Sequence, residues 1–183
     1  MGGGKRDRLV ELARQAIETT FTKKRFREPT GREYRAKRGV FVTLTKDNEL
    51  RGCIGYPLPT YPLGEAIIRA ARAAAFEDPR FPALEPEELG EVRVEVTILT
   101  VPETISVKEP DEYLRKVKVG RDGLIIRQGY RSGLLLPQVP TEYGWNVETF
   151  LEQLCMKAGL PREAWKREEV TIESFRGEIH KEE

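Results

Sequence analysis

A single histidine, His180, and two cysteines, Cys53 and Cys155, are the whole supply of thiol and imidazole groups in 183 residues. Zinc is ordinarily held by three or four Cys or His side chains in spaced pairs, so this supply argues strongly against a structural zinc site. The Cys–His pairing of thiol enzymes also lacks its base, because His180 belongs to a charged tail. Two sparse cysteines make no disulfide framework and read as reduced thiols of an intracellular protein. Long apolar runs are missing too: nothing approaches the ~20 residues that span a bilayer. The opening Met1-Gly2-Gly3-Gly4-Lys5-Arg6 has no apolar core for a secretion signal, and Arg6 stands where myristoylation wants Ser or Thr. Charge of one sign is the last absence. With 31 Lys and Arg against 30 Asp and Glu, a net charge of +1 supplies no global field toward nucleic acid or an anionic membrane. The expectation is a cytoplasmic protein with no membrane association, no evident cofactor and no metal cluster, for which nucleic acid is the less favoured partner. Carboxylate-held magnesium is the one metal chemistry left open.

What is present is a third of charged residues and frequent proline, which would suit a thermophile. From Lys5 to Lys24, Leu9, Leu12, Ala13, Ala16, Ile17, Thr20 and Phe21 recur at helical steps. The basic segment from Arg25 to Arg38 has no period and reads as a loop. Val40, Val42 and Leu44 alternate with Phe41, Thr43 and Thr45 before the turn residues Lys46-Asp47-Asn48-Glu49, which predicts a β-hairpin with a second arm from Leu50. Pro57, Thr60 and Pro62 lead into an Ala-rich helix with Leu63, Ala66, Ile67, Ala70, Ala71 and Ala74 on its apolar face and a favourable Glu65–Arg69 pair. Glu85 to Leu89 reads as a helical turn, Val92 to about Val101 as a long strand, and Ile105 and Val107 as a short one. Asp111 to Lys116 is a short helix. Asp122-Gly123 between apolar runs predicts a hairpin, and a second tight connection follows at Gln128 to Gly133. Asn146 caps a helix bearing Val147, Phe150, Leu151, Leu154, Cys155 and Ala158, stopped by Gly159 and Pro161; Val170, Ile172 and Phe175 make a last strand. Hairpin-linked strands with helices toward both ends fit an α+β fold of largely antiparallel sheets with flanking helices.

The stretch Leu50-Arg51-Gly52-Cys53-Ile54-Gly55-Tyr56 holds a thiol between two glycines at the end of a strand. If the period of two holds, Arg51 and Cys53 share a face, and Gly52 and Gly55 let a backbone or ligand approach. Cys53 is then either a nucleophile whose pKa Arg51 lowers, or a small buried residue where nothing larger fits. Phe76-Glu77-Asp78-Pro79-Arg80-Phe81-Pro82 is held extended by prolines, so Glu77 and Asp78 are acid/base candidates and Arg80 a ligand contact; a surface loop whose charges satisfy one another is the other reading. Glu142, Tyr143 and Trp145 make an acidic and aromatic wall or merely pack beside the Asn146 cap. Arg69, Arg72, Arg127 and Arg131 form a local anion site or, more simply, scattered solvated charge. Cys155, on an apolar helix face, reads as core.

Leu50 to Gly55, Ala75-Phe76-Glu77-Asp78-Pro79-Arg80-Phe81-Pro82, the run from Gly133 to Trp145 and Cys155-Met156-Lys157-Ala158-Gly159-Leu160-Pro161 together resemble the AMMECR-one family, named for a human chromosomal region linked to Alport syndrome, midface hypoplasia and elliptocytosis. The resemblance runs from residue 8 to 178, with all five Arg-Gly-Cys-Ile-Gly positions kept as Arg51 to Gly55, and Tyr56 where relatives often carry Thr. It implies an archaeal-type single domain of 8–178 between flexible tails, 1–7 and 179–183. It also implies a larger lobe from both chain ends, a smaller inserted lobe closely packed on it and a cleft between the two. Association with Memo-like and radical-SAM proteins is a further implication; a reaction is not. Two functions follow as expectations. One is a cleft for a small anionic ligand, with Cys53 as reactive thiol, Arg51 its electrostatic partner and Glu77 or Asp78 the acid/base. The other is an interaction module for a protein or nucleic acid, in which Cys53 is structural.

Overall fold

The computed structural model describes residues 7–22, 24, 26 and 29–182. In chain order the elements are α1 (Arg8–Phe21), β1 (Val40–Lys46), β2 (Glu49–Tyr56), α2 (Leu63–Phe76), β3 (Val92–Leu99), β4 (Glu103–Thr104), α3 (Glu112–Lys116), β5 (Gly123–Gln128), β6 (Arg131–Leu135), α4 (Gln138–Glu142), α5 (Val147–Lys157), β7 (Thr171–Phe175) and β8 (Gly177–Lys181). Short 3₁₀ turns lie at Arg32–Arg35, Pro86–Gly90 and Arg162–Lys166. The fold is α+β, with two four-stranded sheets ordered β2-β1-β3-β8 and β4-β7-β5-β6. Two compact units result, one from the chain up to Leu99 joined by the segment from Glu178, the other from Thr100–Gly177.

In the first unit the inward residues of β1 and β3, Val40, Val42, Leu44, Val92, Val94 and Val96, meet the buried faces of α1 and α2. Fully burying one such side chain contributes about 1.5–3 kcal/mol, which makes this layer the unit's main source of stability. Asp7 caps α1 by accepting from the Leu9 amide at 3.0 Å. The β1–β2 connection is the two-residue turn Asp47-Asn48, both with positive φ (52° and 64°), the backbone that a type I′ hairpin demands. α2 begins at Leu63 with Pro62 in the cap position, and its Glu65–Arg69 pair forms at 2.8 Å.

The second unit closes around Phe150, Leu151, Leu154 and Cys155 of α5, packed with Leu124, Ile126, Trp165 and Ile172. Asn146 caps α5 through the Thr149 amide at 2.9 Å. The hairpin here is β5–β6, turned by Gly129-Tyr130 with Gly129 at φ 57°. Asp122-Gly123 makes no hairpin: Val117 to Val119 stay outside any strand, and the buried Asp122 carboxylate instead accepts from the Lys118 amide at 2.8 Å, closing the loop on itself. Ile105 and Val107 likewise leave the strand to Glu103–Thr104.

The charged end of the chain is not a loose tail. It runs as β8 beside β3, and Glu182 accepts from the Val94 amide at 3.0 Å and from both Nε and Nη2 of Arg14, while Nη1 of Arg14 donates to the Leu89 carbonyl and Nη2 also to the Val92 carbonyl. His180 completes the attachment with Asp7 at 2.6 Å. A run of charges alone carries no strand signal; its pairing with Arg14 and Asp7, more than 160 residues earlier, does. Of the opposite tail, residues 1–6 lie outside the described residues, as do positions 25, 27 and 28 of the basic segment, in which Arg32–Arg35 forms a 3₁₀ turn.

β2 lies against α2 so closely that a Cβ at Gly52 would stand 2.1 Å from the Ala74 carbonyl oxygen, a contact with backbone that no rotamer relieves. Gly52→Ala is therefore expected to destabilise by about 3 kcal/mol. Gly90→Ala, where an added Cβ meets nothing within 4 Å, is the matched control and stays within about 0.5 kcal/mol in equilibrium guanidinium unfolding.

Candidate functional site

The motif strand departs from the period of two at its charged residue. Leu44 pairs with Gly52 but Thr45 pairs with Leu50, so Arg51 is the extra residue of a β-bulge. Its guanidinium spans to Glu88, with Nε 3.0 Å from Oε1 and Nη2 2.9 Å from Oε2, while Nη1 reaches the Pro82 carbonyl at 3.0 Å. Both side chains are largely buried, and Lys46 adds a 3.4 Å contact to the same carboxylate. Arg51 and Cys53 thus end in different surroundings, because the bulge re-aims the arginine. The hydrogen bonds from Arg51 and then from the Glu85 amide hold the Glu88 carboxyl down to about 2.

Cys53 is gripped through its backbone. β2 is the edge of its sheet, and at the pair Thr43↔Cys53 the amide and carbonyl of Cys53 point outward, where no neighbouring strand waits. The loop after α2 fills the gap. Asp78 Oδ2 accepts from the Cys53 amide at 2.9 Å, and Arg80 Nη2 donates to the Cys53 carbonyl at 3.2 Å. Asp78 also takes the Arg80 amide at 3.1 Å, Arg80 Nε at 3.0 Å and Arg80 Nη2 at 2.8 Å. One carboxylate and one guanidinium therefore imitate an adjacent strand across a single residue. Asp78 is only 4% exposed, whereas the Arg80 side chain remains 54% exposed. Arg80 first, then the two backbone amides, hold the Asp78 carboxyl far below the usual carboxylate range against the upward push of burial. The loop keeps this shape because Leu84, buried in the first core, bonds back to the Ala75 carbonyl at 2.8 Å, with prolines at 79 and 82 restricting what lies between.

The Cys53 thiol itself is half-buried, 3.2 Å from the Thr43 hydroxyl on β1. Gly55 leaves room for the Phe41 ring, which an added Cβ would meet at 2.4 Å, so both motif glycines accommodate the protein's own atoms. Glu77 is exposed at the end of α2 and is not among the groups bonded to Cys53 or Asp78. Glu142, Tyr143 and Trp145 belong to the second unit. There Glu142 is exposed, and Tyr143 and Trp145 stack on each other with centroids 5.0 Å apart and planes 16° apart. The four arginines considered as an anion site do not converge. Arg69 pairs with Glu65, Arg72 donates to the Ala16 carbonyl, Arg127 pairs with Glu173 and Arg131 donates to the Gly159 carbonyl. Burial pushes the Cys155 thiol up, in keeping with a core cysteine. Sequence reasoning missed Glu88 and Thr43, whose roles rest on the bulge and on strand register. Among the described residues, no three His, Cys, Asp or Glu side chains gather as a metal-binding set and no helix is long and apolar enough to cross a membrane.

A family model described as AMMECR1 matches residues 10–180. Similar proteins include one from Thermococcus gammatolerans, 54% identical over 96% of this chain and 89% of its own length. Another, from Methanocaldococcus jannaschii, is 52% identical over 94% of this chain and 88% of its own. The crystal structure of an uncharacterized protein from Pyrococcus horikoshii is 51% identical, covers 96% of this chain and 90% of that one, and superposes with a TM-score of 0.73.

Glu88 has a folded-state carboxyl held to about 2 against an ordinary 4.5, so its contribution to stability is complete above about pH 4.5 and is lost as the pH falls toward 2. Asp78, depressed in the same direction, adds to the loss below its ordinary 3.8. Glu88→Gln is expected to cost about 2 kcal/mol at pH 6 and to flatten the decline between pH 4.5 and 2.5, measured by denaturant unfolding at a series of pH values.

Proposed function

The chain belongs to the AMMECR1 family, and from this premise we propose that it works in the cytoplasm as a non-catalytic interaction module that presents the Cys53 strand to a protein partner. The supporting observation is that the charged groups of the motif are already engaged. Arg51 is held by Glu88 and the Pro82 carbonyl, and Asp78 is held by Arg80 and the Cys53 amide. A general base works best with a pKa near the operating pH. Asp78 lies far below it, so it is a poor acceptor for the Cys53 proton, and Glu77 is exposed at the helix end. What this arrangement accomplishes is order. It fixes one edge residue in place and leaves the Arg80 side chain half in solvent beside it, a pre-organised surface that costs little further ordering on binding. With a net charge of +1, a protein partner fits better than nucleic acid.

One observation favours the second reading, a small anionic ligand attacked by the thiol: Arg80 lies against the Cys53 carbonyl with its Nη1 engaged by no described residue. Alkylation separates the two. In a Cys155→Ala background, Cys53 is expected to react with iodoacetamide at pH 7 no faster than glutathione, and anionic metabolites are expected to leave the rate unchanged. A Cys53 tens of times faster than glutathione and protected by such a metabolite would replace the binding reading with the nucleophile.

A further inference from the structure

Among the described residues two carboxylates are buried, and each is held by arginine, but their charge balances differ. Asp78 in the first unit faces one guanidinium, and the pair is neutral. Asp122 in the second unit is 2% exposed and faces two. Arg121 Nε and Nη2 each lie 2.7 Å from its oxygens, and Arg176 Nε lies 3.6 Å from Oδ1. Oδ2 also accepts from the Lys118 amide, and the single negative charge of the carboxylate is shared between two guanidiniums, which leaves one positive charge unbalanced. At 3.6 Å the Arg176 contact is an ion pair rather than a hydrogen bond, and it leaves that guanidinium's donors uncommitted.

We propose that Arg121 and Arg176 form an oxyanion site, organised by Asp122, that takes a phosphate group. Three observations carry it. Both side chains are about half exposed, 45% and 59%, and although Arg121 Nη2 also reaches the Lys116 carbonyl at 3.4 Å, its Nη1 and the Arg176 guanidinium make no hydrogen bond among the described residues. Arg121 is oriented by the fixed, buried carboxylate, which also attracts Arg176, and this lowers the ordering cost that makes an isolated surface arginine a weak binder. Among the described residues, no acidic side chain other than Asp122 pairs with either arginine. Lys118 is exposed at the start of the same loop, Glu173 on β7 is taken by Arg127, and Glu103 on β4 forms no ion pair with either arginine among the described residues. The backbone at Arg176 is itself fixed, its amide donating to the Thr100 hydroxyl at 2.8 Å and its carbonyl accepting from the Thr100 amide at 2.8 Å. A tetrahedral oxyanion with several acceptor oxygens can bridge the Arg176 fork and the Nη1 of Arg121, whose Nε and Nη2 are taken by Asp122, which a single-charge halide cannot do. The site involves none of the Cys53 motif residues and is independent of the partner reading above.

The test is a titration of the full chain with inorganic phosphate, followed by ³¹P line broadening at constant ionic strength set with sodium chloride. Wild type is expected to show saturable broadening. Arg176→Gln, which breaks no hydrogen bond to Asp122, is expected to weaken binding about tenfold. Arg121→Lys keeps the charge but loses the fork and should weaken it as well. Arg127→Gln removes the same charge from a pair already neutralised by Glu173 and should leave binding as in wild type. Absence of saturable broadening in wild type, an Arg176→Gln protein that binds as wild type does, or an equal loss in Arg127→Gln would each overturn the proposal; circular dichroism confirms that the variants are folded.

Discussion

The Asp78 carboxylate is the interaction on which the motif depends. A buried carboxylate is costly unless every lone pair is used, and Asp78 uses its own on the Cys53 amide, the Arg80 amide and the Arg80 guanidinium. An edge strand is costly in another way, because it exposes unpaired amides and carbonyls to any passing strand. Each problem is the other's solution here. The edge residue supplies a donor to the acid, and the acid with its arginine closes the edge at the one residue whose side chain is a thiol. The bulge at Arg51 contributes by sending the neighbouring guanidinium to Glu88, which anchors the 3₁₀ turn after the loop to the same strand.

This division explains which parts of the molecule were legible in its sequence. Periodicity found α1, α2, α5 and the β1–β2 hairpin, because in each the buried face repeats at the spacing of its element, and Asp47-Asn48 and Asn146 are residues chosen by local backbone chemistry. Asp122-Gly123 misled for an instructive reason. The pair has the composition of a hairpin turn, but its aspartate accepts from the Lys118 amide and pairs with Arg121 and Arg176 instead of turning a hairpin. β8 was hidden because its residues are charged and its stability comes from Arg14 and Asp7 at the far end of the chain.

The candidate site was legible as a location and not as a geometry. Cys53, Asp78 and Arg80 lie together, through the backbone of the cysteine rather than its thiol. Arg51 was assigned to the thiol by a period of two that the bulge breaks, and Glu88, its actual partner, carries no local signal that distinguishes it from the other glutamates of Glu85-Pro86-Glu87-Glu88. The contrast between Asp78 and Asp122 was likewise invisible, since it depends on Arg176 returning to the Asp122 loop from more than fifty residues away. Charge counted along the chain is balanced; charge counted in space is neutral at one carboxylate and positive at the other.

The Asp78–Arg80 loop acts as the missing strand for Cys53. Native-state hydrogen exchange of the Cys53 amide reads this directly, because an edge amide without a partner exchanges through local fluctuation and a ladder amide only through larger opening. The Cys53 amide is predicted to be protected to the same degree as the interior amides of β1. Exchange as fast as that of the exposed turn residue Tyr130 would show the edge to be open and would contradict the account.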